Sequence, residues 1–150
     1  MNEEITEIVE GSTKLLVPKG SMTDTIPPKE PAFFNPRASL SRDLSIIACS
    51  AFWKDFKFPK IFFDGLSGLG ARGLRVANEV KDTEKVIIND VNAKALEIAL
   101  KSAEINNLKI LRFLKMRHVD FLVHVLEKIQ EHLLWILTHL VHHQDTLIVQ

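Results

Sequence analysis

Lys60-Ile61-Phe62-Phe63-Asp64-Gly65-Leu66-Ser67-Gly68-Leu69-Gly70-Ala71-Arg72-Gly73-Leu74 is the stretch on which the fold turns. An apolar run, Ile61 to Phe63, ends in a carboxylate at Asp64, the pattern of a strand buried in a parallel sheet. Gly65 to Gly73 reads as a glycine-rich turn and Leu74 to Val80 as a helix. A second apolar strand, Lys85 to Asp90, again closes on Asp. Asn92 to Asn106 then places Ala95, Leu96, Ala99, Leu100 and Ala103 on one helical face. Strand, glycine turn, helix, strand, helix is a βαβα unit, which predicts a doubly wound α/β sheet.

Upstream, Ile5, Ile8 and Val9 precede Gly11, and Leu15 to Val17 form an apolar run before Pro18, so residues 2–17 read as a short strand pair or meander. Residues 18–36, with Pro27-Pro28 and Pro31, read as an extended loop. Ser39 or Ser41 caps a helix to about Trp53, whose apolar face carries Leu44, Ile47, Ala48, Ala51 and Phe52.

Gly68-Leu69-Gly70-Ala71-Arg72-Gly73 is a G-x-G-x-x-G turn, whose glycines let a ligand approach the backbone at a helix N-terminus. Asp90, twenty residues after Gly70, stands where a carboxylate accepts hydrogen bonds from ribose. That much fits NAD as well as S-adenosyl-L-methionine. Asp64, four residues before Gly68, separates them. A carboxylate there repels a pyrophosphate, whereas it suits a cationic sulfonium and an α-amino group. The bland alternatives are that Asp64 caps the following turn and that Asp90 caps the next helix.

Nineteen basic residues balance nineteen acidic ones, so the total charge makes no general case for nucleic acid or an anionic membrane. Cys49 is the single cysteine, which excludes an internal disulfide and fits a reducing cytosol. No signal-peptide pattern and no long uncharged apolar run is present, so a cytoplasmic, non-membrane protein is expected. Near-helical spacing of His132, His139 and His143 suggests zinc only weakly, since no cysteine or carboxylate joins them, and no metal is expected.

Phe33-Phe34-Asn35-Pro36-Arg37, Ser41-Arg42-Asp43, Phe63-Asp64-Gly65-Leu66-Ser67-Gly68-Leu69-Gly70-Ala71-Arg72-Gly73-Leu74-Arg75 and Asn89-Asp90-Val91-Asn92 together resemble the tRNA guanine-26 N2-dimethyltransferases, over about residues 5–109. The resemblance implies a class I methyltransferase fold, Rossmann-like and doubly wound, here truncated. It implies S-adenosyl-L-methionine as cofactor and tRNA as partner, with methyl transfer to N2 of guanine-26. Carried over by position, Arg42, Arg72 and Asp90 bind the cofactor, beside Asp64, Gly68 and Gly70 of the turn. Two guanidiniums suit the methionine carboxylate. Phe33, with Phe34 next to it, is placed near the target guanine, where stacking on a flipped base is the expected role. The family's Asp-Pro-Phe-Gly motif, which supplies the acceptor carboxylate, does not occur.

All six glycines and all six prolines lie at or before Gly73, and all six histidines at or after His118. Average usage would put about five glycines and prolines in residues 110–150. One reading of this stretch is a long helix or a disordered tail. The other, which we carry forward, is a slip of the reading frame just after Lys109. Regrouped from one base upstream, the codons of Ile110 to Phe121 permit Asn-Ile-Glu-Ile-Ser-Lys-Asn-Glu-Ala-Cys-Arg-Phe. The last base of Trp135 with the first two of Ile136 must spell Asp, and the next codons permit Ile-Asp-Pro-Phe-Gly-Thr-Pro. The expected organisation is thus residues 1–109 as the start of a methyltransferase domain and 110–150 as an off-frame tail, with the chain itself inactive. An NAD-dependent oxidoreductase and a non-enzymatic helical interaction module are the rivals.

Overall fold

A computed structural model describes residues 4–23, 30–55 and 57–145, with side chains described as far as residue 131. Strands β1 (Ile5–Glu10) and β2 (Thr13–Pro18) form an antiparallel hairpin, as the two apolar runs around Gly11 predict. Gly11 carries the turn at φ +62°. A single helical turn, α1 (Gly20–Thr23), interrupts the expected loop, whose residues 24–29 lie outside those described. A 3-10 turn at Pro36–Ala38, capped by the Asn35 side chain, leads into α2 (Ser39–Asp55).

Strand β3 (Ile61–Asp64), helix α3 (Ala71–Glu79), strand β4 (Lys85–Asn89) and helix α4 (Ala93–Ile105) follow in the predicted order. Strand β5 (Leu111–Leu114) then joins the sheet, and α5 runs from His118 to Asp145. The sheet is parallel, in the order β3-β4-β5, with Phe63 opposite Ile87 and Ile87 opposite Arg112. The chain divides into two compact units, residues 1–118 and 119–150.

Within the first unit the layers follow from which side chains must leave water. Val86 and Ile88 of β4 are fully buried, in a cluster with Leu74 and Val76 of α3 and Ala95 and Ala99 of α4. The hairpin lies on the outer side of these helices through Leu15 and Val17. Its second edge is satisfied by α4: the Leu16 amide donates to Ser102 Oγ (3.0 Å), and Asn106 both accepts from the Lys14 amide (3.0 Å) and donates to the Lys14 carbonyl (2.7 Å). An edge strand thus pairs with helix side chains instead of a third strand.

Two local readings change. Helix α3 begins at Ala71, not Leu74, so Arg72 and Gly73 are helical. Gly70, at φ +76°, completes the turn in the left-handed region and lets the helix start at once. In α2 the expected apolar face is exposed, with Leu44, Ile47 and Phe52 more than half accessible. The helix packs on α3 and the 3-10 turn and buries Arg42 and Trp53 instead. Each has a polar partner, Glu10 for Arg42 and Thr83 Oγ1 for the Trp53 indole N–H (3.0 Å), so burial there leaves no donor stranded.

Candidate cofactor site

The carboxyl ends of β3 and β4 lie side by side, and the glycine turn rises between them. In an open α/β sheet this is where ligands bind. Gly68 and Gly70 both have positive φ, and a Cβ on Gly68 would come within 3.0 Å of the Phe33 carbonyl oxygen. Gly73 packs against β4 so closely that a Cβ would meet Ile88 Cγ1 at 2.9 Å. The first two glycines shape the turn and the third seats the helix on the sheet.

Both strand-ending aspartates bind backbone amides of this turn. Asp64 Oδ2 accepts from the Gly73 amide at 3.0 Å, so a carboxylate from β3 caps the third residue of α3. Asp90 Oδ2 accepts from the Gly68 amide at 2.7 Å, and its Oδ1 from the Asn92 amide at 2.9 Å. The cap of α4 is Asn92, whose Oδ1 accepts from Lys94 and Ala95. The capping alternative therefore holds for one oxygen of Asp64, while Asp90 reaches across to the glycines.

Burial pushes the Asp64 carboxyl above its ordinary value, opposed by the Gly73 amide and the Arg72 cation and reinforced by Asp90. Arg72 projects from the first turn of α3, and its Nη2 donates to Ser41 Oγ at 3.3 Å. The Arg72 cation and the Asp90 carboxylate thus both lie within electrostatic reach of Asp64. Phe33 is half exposed, its carbonyl oxygen lying where a Cβ on Gly68 would meet it, while Phe34 is buried.

Arg42 stands in a different setting. Its Nε and Nη2 donate to Glu10 Oε1 and Oε2 at 2.6 and 2.7 Å, and Nη1 and Nη2 both reach the Asn35 carbonyl at 3.2 Å. Its guanidinium also lies 4.9 Å from the centre of the Phe34 ring. The sequence reading assigned no role to Glu10, to Arg75 or to Asn89. Arg75 is 3% exposed and donates to Glu10, Asp43 and Glu79. Asn89 is fully buried: its Nδ2 donates to the carbonyls of Gly65 (3.0 Å) and Met116 (3.1 Å), and its Oδ1 accepts from the Met116 amide (2.9 Å). Arg75 and Asn89 sat inside the recognised motifs, so a signal existed; Glu10 sat in an acidic N-terminus with nothing to mark it.

A parallel sheet with a glycine turn flanked by two strand-ending aspartates defines a Rossmann-like methyltransferase fold. The family model of N2,N2-dimethylguanosine tRNA methyltransferase matches residues 11–133, and the chain belongs to that family. The tRNA (guanine(26)-N(2))-dimethyltransferase of Sulfolobus acidocaldarius is 35% identical over 124 residues, covering 80% of this chain and 31% of that protein. The enzyme of the same name from Methanopyrus kandleri is 35% identical over 121 residues, covering 81% of this chain and 30% of its own length. The chain therefore spans about a third of the length of these curated relatives. Among solved structures, Trm1 from Pyrococcus horikoshii in complex with S-adenosyl-L-methionine superposes with a TM-score of 0.52 at 32% identity, covering 67% of this chain and 24% of that one. Trm5b from Pyrococcus abyssi, at 17% identity and TM-score 0.55, covers 75% of this chain and 28% of its own and shares the fold.

Among the described residues no helix is long and apolar enough to cross a membrane, and no group of three or more His, Cys, Asp and Glu could hold a metal. The side chains of His132, His139 and His143 lie outside the described residues.

Proposed function

We propose that this chain carries the S-adenosyl-L-methionine site of a cytoplasmic tRNA methyltransferase that acts on N2 of guanine-26. The observation that carries this reading is Asp64, which ends β3 at the glycine turn and holds the Gly73 amide in the first turn of α3. In a dinucleotide site the amides at the start of the helix receive a pyrophosphate. Here the Gly68 amide is taken by Asp90 and the Gly73 amide by Asp64. Two carboxylates and one guanidinium complement a zwitterionic amino acid and a ribose, and they oppose a phosphate. The donor set therefore fits S-adenosyl-L-methionine, and the Asp64 carboxylate at the start of the helix disfavours the pyrophosphate of the NAD-dependent rival.

Residue by residue, Asp90 would take the ribose hydroxyls, Asp64 the cationic end and Arg72 the methionine carboxylate, while Arg42, which the resemblance also assigns to the cofactor, has its guanidinium engaged by Glu10 and the Asn35 carbonyl. Gly68 and Gly70 keep the turn low enough for a ligand to lie on it. When bound, the cofactor supplies an electrophilic methyl group. Phe33, which is half exposed, would stack on the guanine, the role the resemblance implies for it.

We also propose that residues after Lys109 stand out of frame and that the acceptor carboxylate is encoded in the neighbouring frame. The support is the codon argument around Trp135 and Ile136, together with the confinement of glycine and proline to residues up to Gly73. The matched stretch runs on to residue 133 and β5 forms at Leu111–Leu114. The regrouped Ile-Glu-Ile-Ser keeps the period of two that a strand needs, so both frames spell a strand there. On this reading the chain binds cofactor and does not transfer methyl groups.

The direct test is titration calorimetry with S-adenosylhomocysteine and with NADH. Saturable binding of the first and none of the second supports the assignment. The opposite pattern would move the chain to the oxidoreductases.

A further inference from the structure

Glu10 ends β1, outside the sheet and remote in sequence from the glycine turn, yet it lies at the centre of a buried ionic lattice. Its Oε1 accepts from Arg42 Nε (2.6 Å) and Arg75 Nη1 (2.9 Å), and its Oε2 from Arg42 Nη2 (2.7 Å). Arg75 Nη1 also donates to Asp43 at 2.6 Å, while its Nε and Nη2 grip Glu79 at 3.0 Å each. Glu79 accepts from Thr13 Oγ1 at 2.7 Å, which closes the lattice back onto the hairpin. The side chains of Arg42, Arg75, Glu10 and Glu79 are all at most 12% exposed. A lattice this dry costs desolvation, so it is held by geometry and not by bulk charge.

Its direction matters. Arg42 does not stop at Glu10 but passes on to the Asn35 carbonyl and the Phe34 ring. The same segment is clamped at its other end, where Asn92 Nδ2 donates to the Pro31 carbonyl at 2.8 Å. Between the clamps, the Phe33 carbonyl approaches Gly68 so closely that a Cβ there would stand 3.0 Å from its oxygen. We infer that Glu10 is a positioning residue for the mouth of the cofactor site, holding residues 33–35 against the glycine turn through Arg42. The inference deepens the proposed function and rests on it only for the ligand.

The test is Glu10→Gln, with amide hydrogen exchange on the free chain and calorimetry with two ligands. The amides of Phe34, Asn35, Arg37 and Ala38 should exchange at least about tenfold faster while those of β4 and α4 are unchanged. S-adenosylhomocysteine, which has the amino-acid end, should bind about tenfold more weakly, while methylthioadenosine, which lacks it, should change less than about twofold. Glu10→Asp, which restores the charge, should recover part of both effects. Faster exchange spread evenly over the chain, or none in the 34–38 segment, overturns the inference. Should Glu10→Gln not fold, Arg42→Lys keeps both charges and removes the guanidinium's paired bonds to Glu10 and Asn35, and the same segment must loosen. If the unaltered chain binds no S-adenosylhomocysteine, the proposed function fails, and the exchange data still decide the role of Glu10.

Discussion

The Gly68 amide donates to Asp90 Oδ2 at 2.7 Å, so the ends of two successive elements of the βαβ unit are tied across the place where a ligand would lie. This one contact fixes the carboxylate beside the turn. Asp90→Ala should therefore weaken S-adenosylhomocysteine by about 2 kcal/mol, roughly thirtyfold, the scale of a charge-assisted hydrogen bond. Calorimetry reads it directly, and unchanged affinity would remove Asp90 from the site.

Asp64 and Glu10 predict opposite responses to pH. Burial raises the Asp64 carboxyl above its ordinary 3.8, so between that value and its folded one the native state holds a proton the unfolded chain has released. Stability from this group is present below pH 3.8 and is lost as pH rises through the folded value. Burial works to raise Glu10 as well, but the hydrogen bonds and charges of Arg42 and Arg75 outweigh it and hold it below its ordinary 4.5. Its contribution is present above 4.5 and is lost as pH falls through the lowered value. Thermal melts from pH 3 to pH 8 should show Asp64→Asn melting at or above the unaltered chain at pH 7. Glu10→Gln should lose stability at pH 7 and approach the unaltered chain in acid.

Asn89→Ala should be severe without touching any ligand. The buried amide serves the Gly65 carbonyl and both backbone groups of Met116, linking the first residue of the turn to the segment after β5. Its removal strands up to three backbone groups and leaves a small void, at a cost of about 2–4 kcal/mol. A urea melt that shifts by less than half a kilocalorie would show that water fills the gap adequately.

Gly73→Ala tests whether the third glycine is there for packing. A Cβ would stand 2.9 Å from Ile88 Cγ1 and 3.3 Å from Asp64 Oδ2, with strand β4 behind it. The helix would have to lift, costing about 1–3 kcal/mol of stability. Gly70→Ala adds the strain of φ +76° to contacts of 3.2 and 3.3 Å with Ala99 and Ile88. Its melting temperature should fall at least as far.

The parallel unit was readable because each of its signals is local. An apolar run, a glycine turn and a 3.6 period mark β3, α3, β4 and α4 regardless of what packs on them. Gly70 and Asp90 were legible because special backbone geometry and strand ends leave a trace in residue type. The face of α2 was not, since Leu44, Ile47 and Phe52 have the period of a buried stripe, and only tertiary contacts show Arg42 and Trp53 inside instead. Glu10 was hidden for the same reason: its partners lie 32 and 65 residues away, and an acidic terminus looks like a solvated one.

The reading frame after Lys109 is settled by nucleotide sequence from genome and transcript. The codons of Trp135 and Ile136 leave no freedom at one point: TGG followed by AT must give GAT when regrouped, which is Asp. The codons from Ile136 to Val141 then permit Ile-Asp-Pro-Phe-Gly, so the motif's Asp, drawn from Leu137 and Thr138, stands two places after the forced one. If one added base near the Lys109 codon opens that frame well past residue 150, the restored protein should methylate guanine-26 of tRNA transcripts, and the chain as it stands should bind S-adenosylhomocysteine without turnover. If the neighbouring frame soon meets a stop, residues 110–150 are the protein's own, and deletion of 119–150 should then cost solubility and a cooperative melt.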